Sequence, residues 1–86
     1  MLTRHLAEEA GPSGVRVNCI APSSILTERT ERLMPAEIRQ QVAQMHPLHR
    51  IGTPTDVADA ALFLASESAS WLSGITIDVA GGRISA

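Results

Sequence analysis

The sequence predicts an α/β chain: two parallel strands joined by a helical crossover, forming part of a larger parallel sheet. Three observations carry this reading. Two short runs, Val15–Ala21 and Ile75–Val79, are rich in β-branched and apolar residues. The stretch between them holds helical periodicity, and a crossover of that length returns the chain parallel to its start. The first run is apolar on one face and partly apolar on the other, as a strand covered on both sides is. Two such strands do not make a stable sheet by themselves, so further strands are expected elsewhere.

The elements follow in chain order. Leu2 to Ala10 reads as a short helix with Leu2 and Leu6 on one face and Glu8 and Glu9 outward. Gly11-Pro12-Ser13-Gly14 stops it, because glycine suits a helix end and proline cannot continue the turn. In the strand Val15–Ala21, Val15, Val17, Cys19 and Ala21 share one face, and Arg16, Asn18 and Ile20 the other. Pro22-Ser23-Ser24 ends it. Residues 23–34 read as a polar loop anchored by Ile25 and Leu26. A helix is predicted from Pro35 to Met45, with proline at its first position and Ile38, Val42 and Met45 as its apolar stripe. The helix after Thr53 has the clearest start signal. Thr53 is a good N-cap, Pro54 suits the first turn, and Asp56 completes a capping box. It is expected to reach Ser66 and to be buried over a wide arc through Val57, Ala58, Ala61, Leu62, Leu64 and Ala65. Phe63 falls on its polar face beside Asp56, Asp59 and Glu67, either as a subunit contact or as a lone exposed aromatic. Trp71 is expected to plug the gap between this helix and the strand Ile75–Val79, which Gly81-Gly82 terminates.

Composition excludes several chemistries. The 86 residues contain no tyrosine, and all seven basic residues are arginines. No Schiff-base lysine, P-loop lysine or Tyr–Lys acid–base pair is available. A net charge of −2 with scattered arginines argues against nucleic acid, and one Phe and one Trp offer no stacking platform. No apolar run approaches the length of a membrane span, and the Met-Leu-Thr-Arg-His start is unlike a signal peptide. Cys19 is the lone cysteine, a mid-strand thiol read as buried and inert, and a reducing cytoplasm suits it. His46 and His49 are three apart, but Pro47 between them and the lack of a completing ligand argue against zinc. Ser, His and Asp are all present, yet no G-x-S-x-G marks a nucleophile. Asp78 interrupts the last strand and needs a partner if buried. A chain of this length folds to about 4,900 Å² of surface, burying about 63% of what it exposes unfolded. With so few aromatic residues the core is thin, and a partner or further sequence is expected to complete it.

Five stretches together resemble the short-chain dehydrogenase/reductase family. They are Leu2–Glu9, Gly14–Pro22, Pro47–Ala58, Leu62–Ser66 and Ser73–Gly82, in the family's order over nearly the whole chain. The resemblance implies a partial Rossmann-like fold: residues 15–21 and 75–79 as the last two parallel strands of a doubly wound sheet, with their crossover helices. It implies that residues 1–86 are a single C-terminal third of the family domain, and that Leu2–Ala10 ends the helix carrying the catalytic Tyr-x-x-x-Lys. The Gly-rich loop and the catalytic Ser, Tyr and Lys have no counterpart here, so no catalytic residue is assigned and no metal ligand either. By the resemblance, Pro22, Ser23, Ile25 and Thr27 form one edge of the cofactor site, where open α/β sheets bind ligands. Backbone near Ile25 would contact the nicotinamide carboxamide of NAD or NADP, and the Thr27 hydroxyl the carboxamide or a phosphate. Ser23 departs from the family's usual glycine and would be strained by about 1 kcal/mol if the position needs φ > 0.

Residues 28–46 match the family's substrate loop, where Leu33, Met34 and Met45 either line an apolar pocket or simply pack. Residues 53–80 match its two-fold subunit interface, with Phe63, Trp71, Ile75, Ile77 and Val79 as the contacts of a homo-oligomer. The expected function is that of part of an NAD(P)-dependent oxidoreductase acting on an alcohol or carbonyl. The chain alone is expected to be inactive and to bind no cofactor. Two other readings stand beside it: a non-catalytic module docking with full-length subunits, and a remnant without function.

Overall fold

Helix α1 (Leu2–Ala10) opens the chain and passes through a 3-10 turn, Gly11–Ser13, into strand β1 (Cys19–Pro22). Three helices follow, α2 (Glu28–Leu33), α3 (Ala36–Gln44) and α4 (Pro54–Ala65). A second 3-10 turn, Glu67–Ala69, leads to strand β2 (Thr76–Val79). This computed structural model describes residues 1–83. The two strands pair in parallel, with Cys19 opposite Thr76 and Pro22 opposite Val79. The α/β class and the parallel crossover are as the sequence predicts.

Both strands are shorter than predicted. Residues 15–18 run beside 72–75 without forming a ladder, because side chains take the places of backbone partners. Val17 N–H donates to Ser73 Oγ at 3.1 Å, and Asn18 uses Nδ2 on the Leu72 carbonyl at 3.0 Å. Regular pairing begins where Cys19 N–H meets the Ile75 carbonyl at 2.9 Å. Cys19 is half-buried rather than buried.

The region 23–34 is not all loop. Thr27 caps α2 by accepting from Thr30 N–H at 3.2 Å, and Thr30 Oγ1 accepts in return from Thr27 N–H at 2.7 Å. This is a capping box with Thr in the position usually held by Glu or Gln. The following helix begins at Ala36, with Pro35 as its N-cap rather than its first turn. At α4 the predicted box is present, with Asp56 accepting from Thr53 N–H at 2.7 Å. The left-handed residue that turns the chain after α1 is Gly14, at φ 78°, not Gly11, which stays helical.

Packing differs most from expectation. Among the described residues only Leu64, Ala69 and His46 are buried. Helix α4 turns Val57, Ala60 and Leu64 inward, while Ala58, Ala61, Leu62 and Ala65 face out. The reason is that α4 has only a two-stranded sheet to cover, so one narrow stripe suffices. Trp71 plugs nothing: it is 97% exposed. Helix α1 rests on Gly74 through Ala7, leaving Leu2 and Leu6 outward. The total accessible surface is 6479 Å², against the about 4,900 Å² of a self-contained domain of this mass. The radius of gyration, 15.6 Å, likewise exceeds the about 12 Å of a compact chain of this length.

Candidate functional site

Both strands leave the sheet at the same end, and a cleft of about 300 Å³ opens there. Three segments meet around it. The first is the turn after β1, where Ser23 N–H donates to the Val79 carbonyl at 3.1 Å. The second is the glycine turn after β2, with Gly81 at φ 57° and Gly82 at φ 86°. The third is the link from α3 to α4, which carries His46, Leu48, Arg50 and Gly52, with Asp56 following in the first turn of α4.

Close backbone approach holds these segments together. Leu48 N–H donates to the Gly81 carbonyl at 3.0 Å. A Cβ on Gly82 would stand 3.1 Å from the Pro47 Cβ, so the two turns lie face to face. Ile25 and Gly52 form an isolated parallel bridge. Its bonds run from Gly52 N–H to the Ser24 carbonyl at 3.0 Å, and from Leu26 N–H to the Gly52 carbonyl at 2.7 Å. A Cβ on Gly52 would fall 2.7 Å from Ile25 Cδ1, so glycine lets the two backbones approach. In such a bridge the flanking residues bond inward, and the central residue's N–H and C=O point to the opposite side. The Ile25 N–H and C=O accordingly have no partner among the described residues.

His46 lies beneath this cleft, 2% exposed, with both ring nitrogens engaged. Nδ1 is 2.9 Å from the Val42 carbonyl, and Nε2 is 3.1 Å from Ser23 Oγ. A carbonyl only accepts, so Nδ1 carries a proton, and in the neutral ring Nε2 then accepts from the Ser23 hydroxyl. Across the cleft, Arg50 makes a two-pronged ion pair with Asp56, at 2.7 and 3.1 Å. Asp56 also receives the Thr53 N–H and hydroxyl, and these bonds, Arg50 first, hold its carboxyl far below the usual 3.8.

The four site residues expected from sequence are placed differently by the fold. Ser23 lines the cleft, and its φ is not positive, so it carries none of the strain that a glycine-only conformation would impose. Pro22 ends β1, exposed. Ile25 presents its backbone as described, with its side chain against Gly52. Thr27 caps α2 with an exposed hydroxyl; since Thr30 Oγ1 donates to the Thr27 carbonyl at 3.0 Å, the Thr27 hydroxyl is the donor in its own 3.1 Å contact with Thr30 Oγ1. His46 is the site residue that sequence reasoning missed. Its partner Ser23 is far away in sequence, and no local spacing announces the pair. Asp78 is exposed at the cleft, so it needs no buried partner. Among the described residues no three His, Cys, Asp or Glu side chains gather as metal ligands would. No helix there is long and apolar enough to cross a membrane.

The donor set fits one end of a dinucleotide. A nicotinamide carboxamide offers an acceptor oxygen and a donor NH₂ side by side, complementary to the Ile25 N–H and C=O. The pyrophosphate end has no such cradle here, because the sequence holds no Gly-rich loop of the dinucleotide type.

Comparisons with known proteins bear on the family and the fold. A family model described as enoyl-(acyl carrier protein) reductase matches residues 1–83. The 7alpha-hydroxysteroid dehydrogenase of Escherichia coli K12 is 45% identical over 83 residues, 96% of this chain and 32% of that protein. The crystal structure of hydroxysteroid dehydrogenase from Escherichia coli superposes with a TM-score of 0.89 at 44% identity, over 98% of this chain and 35% of its own. A 3-oxoacyl-[acyl-carrier protein] reductase with bound NAD from Brucella melitensis gives 0.83 at 42% identity, over 99% and 30%. The chain therefore spans about a third of the length of the relatives it matches.

Proposed function

The chain belongs to the short-chain dehydrogenase/reductase family, and on that premise we propose that it forms the nicotinamide edge of an NAD- or NADP-dependent oxidoreductase. The complete protein would transfer hydride between the cofactor and an alcohol or carbonyl. The observation that carries this reading is the Ile25 peptide pair, unpartnered among the described residues beside a cleft at the carboxyl end of parallel strands. In this reading Ile25 orients the carboxamide through N–H and C=O, the Thr27 hydroxyl would turn from Thr30 to donate to the cofactor, and Pro22 and Ser23 shape the turn that carries them. The bound cofactor supplies the hydride chemistry. The residues of this chain hold one end of it in register and help exclude water. Residues 28–46 would border the substrate. Cys19 as a free thiol suits a reducing, cytoplasmic setting.

These 86 residues are expected to turn nothing over, because they contain neither tyrosine nor lysine, and to bind no cofactor unaided, because they hold no Gly-rich loop. The test is to express the reading frame extended upstream of Met1 and follow NAD- or NADP-dependent oxidation of a panel of alcohols. Activity in the extended protein and none in the 86-residue chain supports the reading. Turnover by the chain alone, or none by the extended protein, overturns it.

A second reading draws on a different observation. Trp71 at 97%, Leu62 at 69% and Phe63 at 45% exposed leave large apolar side chains in water. Phe63, Trp71, Ile75, Ile77 and Val79 would then contact a second copy or a full-length relative, extending the sheet past its open edge. Co-purification of the chain with a full-length relative supports this, and a monomer that ignores such relatives contradicts it.

A further inference from the structure

The pair Ser23–His46 has a geometry that the cofactor-edge reading does not require. His46 is the only buried polar side chain among the described residues, and it satisfies both nitrogens without water. One bond runs to the last turn of α3, at Val42; the other runs to the turn that leaves β1, at Ser23. A Cβ placed on Gly81 would stand 3.6 Å from the His46 Cβ, so the glycine turn after β2 closes over the residue. Three segments distant in sequence thus meet on one imidazole ring. Ser23 lies two residues before Ile25, and the two are joined by the Ser24 peptide that Gly52 holds.

We propose that Ser23 and His46 are positioning residues: a two-bond strap that fastens the turn carrying the Ile25 peptide groups to the C-terminal end of α3. The functional part of this inference rests on the cofactor-edge reading; the strap itself does not. Residues 28–46 border the substrate in that reading, so the strap sets the cofactor edge and the substrate-side helix relative to each other. The direction of each bond is dictated by chemistry. Val42 offers a carbonyl, His46 must give it the Nδ1 proton, and Nε2 is left to accept the Ser23 hydroxyl proton. Of the two neutral tautomers, these bonds select Nδ1–H. Glycine at position 23 could not make this connection, and Ser23 makes it without left-handed backbone.

The strap is tested in the upstream-extended protein, without cofactor, by long-range ¹⁵N–¹H correlation at the imidazole, together with amide hydrogen exchange. Wild type is expected to show His46 as the Nδ1–H tautomer. Ser23→Ala keeps the Val42 bond and so the Nδ1–H tautomer, but is expected to shift the Nε2 resonance, which loses the hydroxyl, and to speed exchange about five-fold, the weight of one neutral hydrogen bond. The acceleration should appear in both residues 24–27 and residues 42–46, although only the first set adjoins the substitution. Ser23→Thr keeps a hydroxyl and is expected to restore the wild-type Nε2 resonance and the protection. Ser66→Ala, which removes a hydroxyl bonded to the Phe63 carbonyl at 2.6 Å, should leave both sets unchanged. An Nε2–H tautomer in wild type overturns the strap, as does free-histidine behaviour or an effect of Ser23→Ala confined to its own turn. These readouts need no cofactor, so a strap that passes while the extended protein ignores NAD and NADP would condemn the cofactor-edge reading alone.

Discussion

The cleft end of the molecule and its outer faces use similar apolar residues but finish them differently. At the cleft, His46 is 2% exposed with both nitrogens bonded, and Gly52, Gly81 and Gly82 bring backbones into contact. On the outer faces, Leu2, Leu62 and Trp71 stand 72%, 69% and 97% exposed. The difference separates two kinds of information in one chain. The cleft is specified by polar pairing and close backbone approach, which this segment contains within itself. The outer faces are specified by hydrophobic burial, which needs a covering surface that these residues do not provide.

Substitutions that break one side of this comparison should leave the other intact. The largest effect is expected at His46. His46→Ala leaves the Ser23 hydroxyl and the Val42 carbonyl unpaired over a cavity, and should cost about 3 kcal/mol in denaturant unfolding. Next is Gly82→Ala, which imposes a Cβ at φ 86°, 3.1 Å from Pro47. It should cost about 2 kcal/mol and loosen the contact between the glycine turn and the His46–Leu48 link. Thr53→Ala removes the N-cap of α4 and should cost about 1 kcal/mol, visible as a lower melting temperature. Trp71→Ser should change monomer stability by less than about 0.5 kcal/mol while reducing self-association in light scattering. A Trp71 effect larger than that of His46 would reverse the comparison.

Acid sharpens the same contrast. The Arg50 ion pair and the Thr53 bonds depress the Asp56 carboxyl in the folded state below its ordinary 3.8. The unfolded chain therefore binds the proton first. The stabilisation is complete above pH 3.8 and is lost as pH falls from there toward the folded-state value. Asp56→Asn should flatten the acid limb of a melting-temperature profile below about pH 4 and remove part of the stability above it. An unchanged acid limb would show that another carboxylate governs it.

Much of the fold was legible in sequence, and the illegible part has identifiable causes. The strand positions Cys19–Ala21 and Thr76–Val79 followed from β-branched alternation, and α4 from Thr53, Pro54 and Asp56. These signals are local. Helix α2 was missed because Thr30 fills the capping-box position that Glu or Gln commonly holds. Strand β1 was drawn too long because the alternation of Val15 and Val17 persists where Asn18 and Ser73 side chains replace the ladder. Trp71 was placed inside because large aromatics usually are, a rule that assumes the rest of a core is present. At the site, the turn after β1 was found from its proline and from the family resemblance. The contributions of His46 and Gly52 were not, since each acts on a residue more than twenty positions away, through contacts that only the folded chain creates.

The central claim is that the Ile25 peptide forms the carboxamide edge of a nicotinamide site. The most direct measurement follows the Ile25 amide ¹⁵N–¹H resonance in the upstream-extended protein as NADH or NADPH is added. The account predicts a downfield proton shift at Ile25, as a free N–H gains an acceptor, and a loss of that shift with a cofactor lacking the carboxamide. Saturable binding that leaves the Ile25 amide unmoved would contradict it.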